Sequence, residues 1–203
     1  MKFYDAKGPN PAAVRMFAAE QRVTLEQIPV DMIGGENRRP AFLKLNPMGQ
    51  LPVLECSEGV FISEVVAICE YIDEISKQPS LIGATPEERA ICRMWVRRID
   101  LNILQPMADG FRFEEALSFF EGRIHCIPEA ATGLKTKAHN ALAWLNEAIS
   151  GKTFVCGQRL TLADIMLYAN LKFFQRNGQP GEESWSNIRA WSERMAARPS
   201  ASA

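Results

Sequence analysis

The spacing of apolar residues changes once along this chain, close to residue 76, and that change limits what it can fold into. Ahead of it, short stretches with a period near two alternate with helical stretches; behind it, every apolar pattern is helical. Residues 2–5 read as a strand. The turn Lys7-Gly8-Pro9-Asn10 leads into a helix expected to begin near Pro11, with Asn10 as its N-cap and Val14, Phe17 and Ala18 at helical spacing. A second strand is expected over residues 25–30, where Leu25, Ile28 and Val30 approximate a period of two. Strand, helix and strand at this length make a βαβ unit with parallel strands.

After a polar loop over residues 34–40, Leu51-Pro52-Val53-Leu54-Glu55, the turn Ser57-Glu58-Gly59 and Val60-Phe61-Ile62 read as a hairpin. Pro52 cannot donate to a strand ladder, so it belongs at an edge, at the strand start or in an unusual peptide geometry. A helix follows, with Ile68, Tyr71, Ile72 and Ile75 as its apolar stripe.

The turn-rich stretch that follows divides the chain into a domain over residues 1–76, a linker over 77–86 and an all-helical domain over 87–203. Ile91, Trp95 and Ile99 mark one helix of that domain. Leu134, Ala138, Leu142, Leu145 and Ile149 mark another, and Ile188, Trp191 and Met195 a last one. Thr161-Leu162-Ala163-Asp164 reads as a capping box with Leu160 and Ile165 as a hydrophobic staple. Asp164 is therefore expected to serve the helix end rather than catalysis, with no tendency to titrate near neutrality.

Lysine and arginine number 23 against 24 aspartates and glutamates, a formal net charge of -1, so neither nucleic acid nor an anionic membrane is an expected partner. The first twenty residues carry Asp5, Lys7, Arg15 and Glu20, unlike a secretory leader, and a cytoplasmic location is expected. Five cysteines with no Cys-x-x-Cys pair, and two distant histidines, indicate free thiols and no metal site.

Three segments in fixed order resemble the cytosolic glutathione S-transferase superfamily over nearly the whole chain. They are Leu45-Asn46-Pro47-Met48-Gly49-Gln50-Leu51-Pro52-Val53-Leu54, Glu64-Val65-Val66-Ala67-Ile68 and Gly157-Gln158-Arg159-Leu160-Thr161-Leu162-Ala163-Asp164-Ile165, with Arg198-Pro199-Ser200 closing the chain. The resemblance implies an α/β plus all-α fold: an N-terminal thioredoxin-like βαβ-ββα domain followed by a C-terminal helical bundle domain. It also implies glutathione as co-substrate without a metal, a small-molecule electrophile, a homodimer and a role in detoxification.

By the same resemblance Pro52 is cis, and the backbone of Leu51 pairs with the cysteinyl part of glutathione like an added strand. Glu64 would take the γ-glutamyl amino group, and the helix amide at Val65 its carboxylate. Val65 stands where the family carries a serine, so one side-chain hydrogen bond is missing. Gln50 resembles the residue that reaches the glycyl end, and Arg38, Arg39 and Lys44 lie near it in sequence; Asn46 reads as a turn residue. Ser63 reads as a cap.

The position where many family members carry a thiol-activating Ser or Cys is Gly8, which has no side chain. Asn10 falls where nu-like bacterial classes carry an asparagine that contacts the glutathione sulfur, and its NH2 can donate to a thiolate. The helix cap is the competing role for Asn10. Tyr4 is the second candidate, packing in the sheet being its alternative. Met107, Phe111 and Phe113 are candidates for the wall of an electrophile pocket.

Three functions remain open on the sequence. One is a transferase, another a glutathione-dependent disulfide or peroxide reductase, and the third a non-catalytic binding protein of the same fold.

Overall fold

In the computed structural model, which describes residues 1–179 and 185–203, strand β1 (Lys2–Asp5) lies between β2 (Glu26–Pro29) and β3 (Val53–Ser57). Helix α1 (Pro9–Glu20) joins β1 to β2, and these two strands pair in parallel, Phe3 opposite Gln27. β3 and β4 (Val60–Ser63) form the hairpin, antiparallel to each other and, through β3, to β1, giving the sheet order β2-β1-β3-β4. The register pairs Phe3 with Leu54 and Tyr4 with Val53, so these pairs point to opposite faces. On the Tyr4 face Val30, Phe42 and Val53 form a buried cluster, to which α2 (Pro40–Leu43) contributes Phe42. α1 packs on α3 (Val65–Ile75), and Val14, Phe17, Ile68 and Ile72 are fully buried with Phe3 and Leu54.

Two sequence expectations are corrected in this unit. α1 begins at Pro9 with Gly8 as its extended N-cap, so Asn10 lies inside the first turn and makes no cap hydrogen bond. The reason is that Pro9 also lacks an N–H and has its φ preset, which suits the first helical position as well as Pro11 does. Ile75 does not belong to the buried stripe of α3; it sits at the helix end and is 45% exposed.

The chain divides into one unit of Met1–Ala84 with Pro199–Ala203, and a second of Thr85–Arg198. The second is helical. Thr85 caps α4 (Pro86–Ile99) by accepting from the Glu88 N–H at 3.2 Å. α4 runs through a π-helical turn over Asp100–Leu104 into α5 (Gln105–Phe113). Pro106 has no N–H to continue the ladder, and the widened turn just before it absorbs the break. The inner face of α4 is formed by Cys92, Trp95, Val96 and Ile99, while Ile91, expected on that face, is 44% exposed. Cys92 and Val96, four residues apart, occupy the inward row that a reading from Ile91 displaces by one position.

A short helix, α6 (Leu117–Phe120), precedes α7 (Ala131–Ala148), which packs along α5. α8 (Leu162–Gln175) is buried through nearly its whole length, from Leu162 to Leu171 and again at Phe174. α9 (Ser186–Ala196) places Ile188, Trp191 and Met195 out of solvent. The capping box forms at Thr161, whose N–H donates to Asp164 Oδ2 at 2.9 Å. The carboxylate accepts three further bonds, from Thr161 Oγ1, the Val155 N–H and Trp191 Nε1. Burial nonetheless pushes the Asp164 carboxyl above the ordinary carboxylate value, with those donors opposing it. No helix among the described residues is long and apolar enough to cross a membrane.

A candidate glutathione site at the cis-proline edge

The loop ahead of β3 is shaped from within by two asparagines. Asn46 Nδ2 donates to the Gln50 carbonyl at 2.9 Å while its Oδ1 accepts from the Met48 N–H at 3.1 Å, which closes a tight turn. Asn37 Nδ2 reaches the Gly49 carbonyl at 2.6 Å in a buried setting. Gly49 itself has a φ of 62°, and a Cβ there would lie 2.9 Å from the Asn37 carbonyl oxygen, so only glycine fits. This frame delivers the chain into the cis Leu51-Pro52 bond. Among the described residues the amide and carbonyl of Leu51, just before β3 starts, make no hydrogen bond.

The end of the hairpin supplies the other wall. Val53 pairs with Ser63, and the chain then turns at Glu64 into α3. Glu64 holds a φ of 70° with ψ of 127°, a backbone conformation that costs a non-glycine residue roughly 1–3 kcal/mol and concentrates at functional sites. Its side chain does not cap α3, so the first amides of that helix are left for another acceptor.

These elements enclose an open cleft of about 230 Å³, its mouth included. Gln50, Leu51 and Pro52 form one side, Ser63, Glu64 and Val65 the other, with Asn10 and Asn46 completing it. Six of the residues singled out in the sequence, Asn10, Gln50, Leu51, Pro52, Glu64 and Val65, thus share one cleft. The side chains of Asn10, Gln50 and Glu64 are exposed and make no hydrogen bond or ion pair with other described residues.

Tyr4 lies elsewhere. Its ring packs on Phe42 and Phe61, and its hydroxyl donates to Glu55 Oε2 at 3.5 Å. Burial, and then the Glu55 charge, raise the phenol above its ordinary value, so it stays protonated and turned to that carboxylate. Arg38, Arg39 and Lys44 do not line the cleft.

Ser63 is a residue the sequence reading placed wrongly. It is no cap, since the N-cap of α3 is Glu64, and it faces the cleft instead. The signal was the register: a strand residue paired with Val53 ends beside Leu51-Pro52. Among the described residues no group of three or more His, Cys, Asp or Glu side chains can hold a metal.

Comparison with known proteins agrees with the fold. Residues 1–74 match the glutathione S-transferase N-terminal domain and residues 113–199 the C-terminal domain of the same family. Glutathione S-transferase 2 of Saccharomyces cerevisiae is 32% identical over 98% of this chain and 87% of its own length. The crystal structure of a glutathione S-transferase domain-containing protein from Marinobacter aquaeolei superposes with a TM-score of 0.93 at 35% identity, covering 99% of this chain and all of that one. Maleylacetoacetate isomerase of Pseudomonas aeruginosa is 29% identical over 98% of this chain and 92% of its own length. The chain belongs to the glutathione S-transferase family, with a thioredoxin-like N-terminal domain and a helical C-terminal domain.

Proposed function

We propose that this chain binds glutathione in the cis-proline cleft and transfers its thiolate to an electrophilic small molecule. The observation that carries the reading is the convergence of three unpaired polar side chains, Asn10, Gln50 and Glu64, on the free backbone edge of Leu51. An extended tripeptide pairs with that edge as an added strand. Its γ-glutamyl ammonium meets the Glu64 carboxylate, its α-carboxylate the open amides at the start of α3, and its glycyl end Gln50.

The thiol then lies toward the first turn of α1. A free thiol has a pKa of ~8.5, and each unit of depression requires about 1.4 kcal/mol of preference for the anion. Gly8 offers no hydroxyl or thiol. Asn10 is not engaged as a cap, so its NH2 is available to donate to the sulfur, and the start of α1 adds a favourable dipole. Tyr4 is the weaker candidate for this task because its hydroxyl already serves Glu55.

The rest of the assignment follows the same reading. Residues 1–76 form the glutathione domain, 77–86 the linker and 87–203 the helical domain that recognises the electrophile. The protein acts in the cytoplasm as a homodimer in detoxification, with glutathione as co-substrate and no metal.

Retention on immobilised glutathione, eluted by free glutathione, tests the binding step. Conjugation of an aryl halide compared with reduction of a hydroxyethyl mixed disulfide tests the reaction. Failure of retention would leave a non-catalytic protein of this fold, and reduction without conjugation would make it a reductase.

A further inference from the structure

Arg15 does not line the cleft, yet it joins separate parts of the unit that contains it. Its Nη1 donates to Asp5 Oδ1 at 2.6 Å, and its Nε donates to the Ala203 carbonyl at 3.3 Å. Asp5 is the last residue of β1 and Arg15 stands in the middle of α1, so the ion pair spans the connection Ala6-Lys7-Gly8 between strand and helix. Asp5 is itself fixed to the sheet, its carbonyl accepting from the Val30 N–H at 2.8 Å. The 3-10 turn Pro199–Ser202 packs on α1 within the same unit, and Ser200 Oγ donates to Glu20 Oε1 at the far end of that helix.

Apolar packing alone does not give α1 a single position along its own axis. Ala13, Val14 and Phe17 are fully buried, with α3 packed against the helix, but the gain from such burial is non-directional and follows area. A charge-assisted hydrogen bond is short and directional. The side chains of Arg15 and Asp5 are 21% and 14% exposed, so water and salt screen this pair less than an ordinary surface pair. The pair therefore sets where α1 lies relative to the end of β1. Asn10 is on the first turn of the same helix and lines the cleft. A displacement of about 1 Å at a reacting group is enough to cost ~100-fold in rate, so the placement of that turn has kinetic weight.

We propose that Arg15 is a positioning residue for thiol activation: clamped to Asp5 and to the Ala203 carbonyl, it holds the first turn of α1, and with it Asn10, at the cleft. The inference rests on the reading that glutathione binds there with its sulfur toward α1. Arg15 itself makes no contact with glutathione. Affinity comes from Gln50, Leu51, Glu64 and the start of α3, whereas the clamp bonds only Asp5 and Ala203. Loss of the clamp therefore alters the thiol and spares binding. Lysine keeps the charge at this position but is a point donor, without the planar fork that serves two acceptors at once.

Full-length Arg15→Met, Arg15→Lys and Asp5→Asn test this, with glutathione affinity measured by calorimetry and the bound thiol titrated by thiolate absorbance. In Arg15→Met the thiol pKa of bound glutathione is expected to rise by about one unit and kcat/KM toward an aryl halide at neutral pH to fall about tenfold, while the Kd for glutathione changes less than about twofold. Arg15→Lys recovers part of that loss, and Asp5→Asn shows the same thiol shift in smaller measure. Urea unfolding identifies folded variants; should Arg15→Met not fold, Asp5→Asn carries the test. An unaltered thiol titration in the folded variants, or an affinity that falls as much as the rate, overturns the proposal. Absence of glutathione binding by the wild type overturns the binding reading and this one with it, so the two failures are told apart by the wild type.

Discussion

Trp191 Nε1 donates a 2.9 Å hydrogen bond to Asp164 Oδ1, and the same oxygen accepts the Val155 N–H at 2.8 Å. One buried carboxylate therefore connects the start of α8, the loop before it and the middle of α9. Replacing it with alanine leaves an indole N–H, two amides and a hydroxyl without their acceptor inside the core. Asp164→Ala is expected to lower the unfolding free energy by about 3–5 kcal/mol, measured by urea denaturation. Trp191→Phe removes one donor and leaves a smaller defect. A double-mutant cycle between the two should give a coupling of about 1 kcal/mol or more, and strict additivity would contradict the shared oxygen.

Gly49 supports the cleft through its backbone. Gly49→Ala forces a Cβ to 2.9 Å from the Asn37 carbonyl, which is main chain and cannot swing away, at a left-handed φ. A loss of roughly 2 kcal/mol in stability is expected, with weaker retention on immobilised glutathione. If thermal unfolding is unchanged, the loop does not depend on this close approach.

The sequence made the architecture legible because period-two stretches occur only ahead of residue 76, alternating there with helical ones, and because Thr161 and Asp164 carry a cap with its own mechanism. The cleft was legible at Leu51-Pro52 and Glu64, where motif and backbone geometry coincide. It was not legible at Ser63, whose direction depends on the β3–β4 register, or at Asn10, where two prolines competed for the helix start. Ile91 misled because α4 buries Cys92 and Val96, residues that a search for large aliphatics passes over.

Asn10 can now be tested without interference from a capping role. Asn10→Ala should leave stability within about 0.5 kcal/mol, because no cap hydrogen bond is lost. The thiol pKa of bound glutathione, followed by thiolate absorbance against pH, should rise by about one unit, with kcat/KM at neutral pH falling about tenfold. An unaltered thiol titration would remove Asn10 from the mechanism while leaving the binding cleft intact.

Glu64 sets binding against backbone strain. Its φ of 70° favours glycine, so Glu64→Gly should gain up to about 1 kcal/mol in stability while losing the carboxylate proposed to take the γ-glutamyl ammonium. Glutathione binding measured by calorimetry should weaken by one to two orders of magnitude, as expected for a charged hydrogen bond of about 1.5–3 kcal/mol. A variant that is both less stable and equally able to bind would place the origin of this conformation outside ligand recognition.

In the proposed glutathione complex, Val65 and Ser63 are the positions that test how the α-carboxylate is held. The amides at the start of α3 are open, but the side chain at the first helical position is apolar, and the nearest hydroxyl in the cleft is that of Ser63. If Ser63 supplies the missing hydrogen bond, Ser63→Ala should raise the Kd for glutathione about tenfold, in line with about 1–1.5 kcal/mol. Val65→Ser should then recover much of that loss in the double variant while improving the wild type only slightly. If Ser63→Ala binds normally and Val65→Ser alone tightens binding tenfold, the carboxylate rests on the helix amides without a side-chain partner.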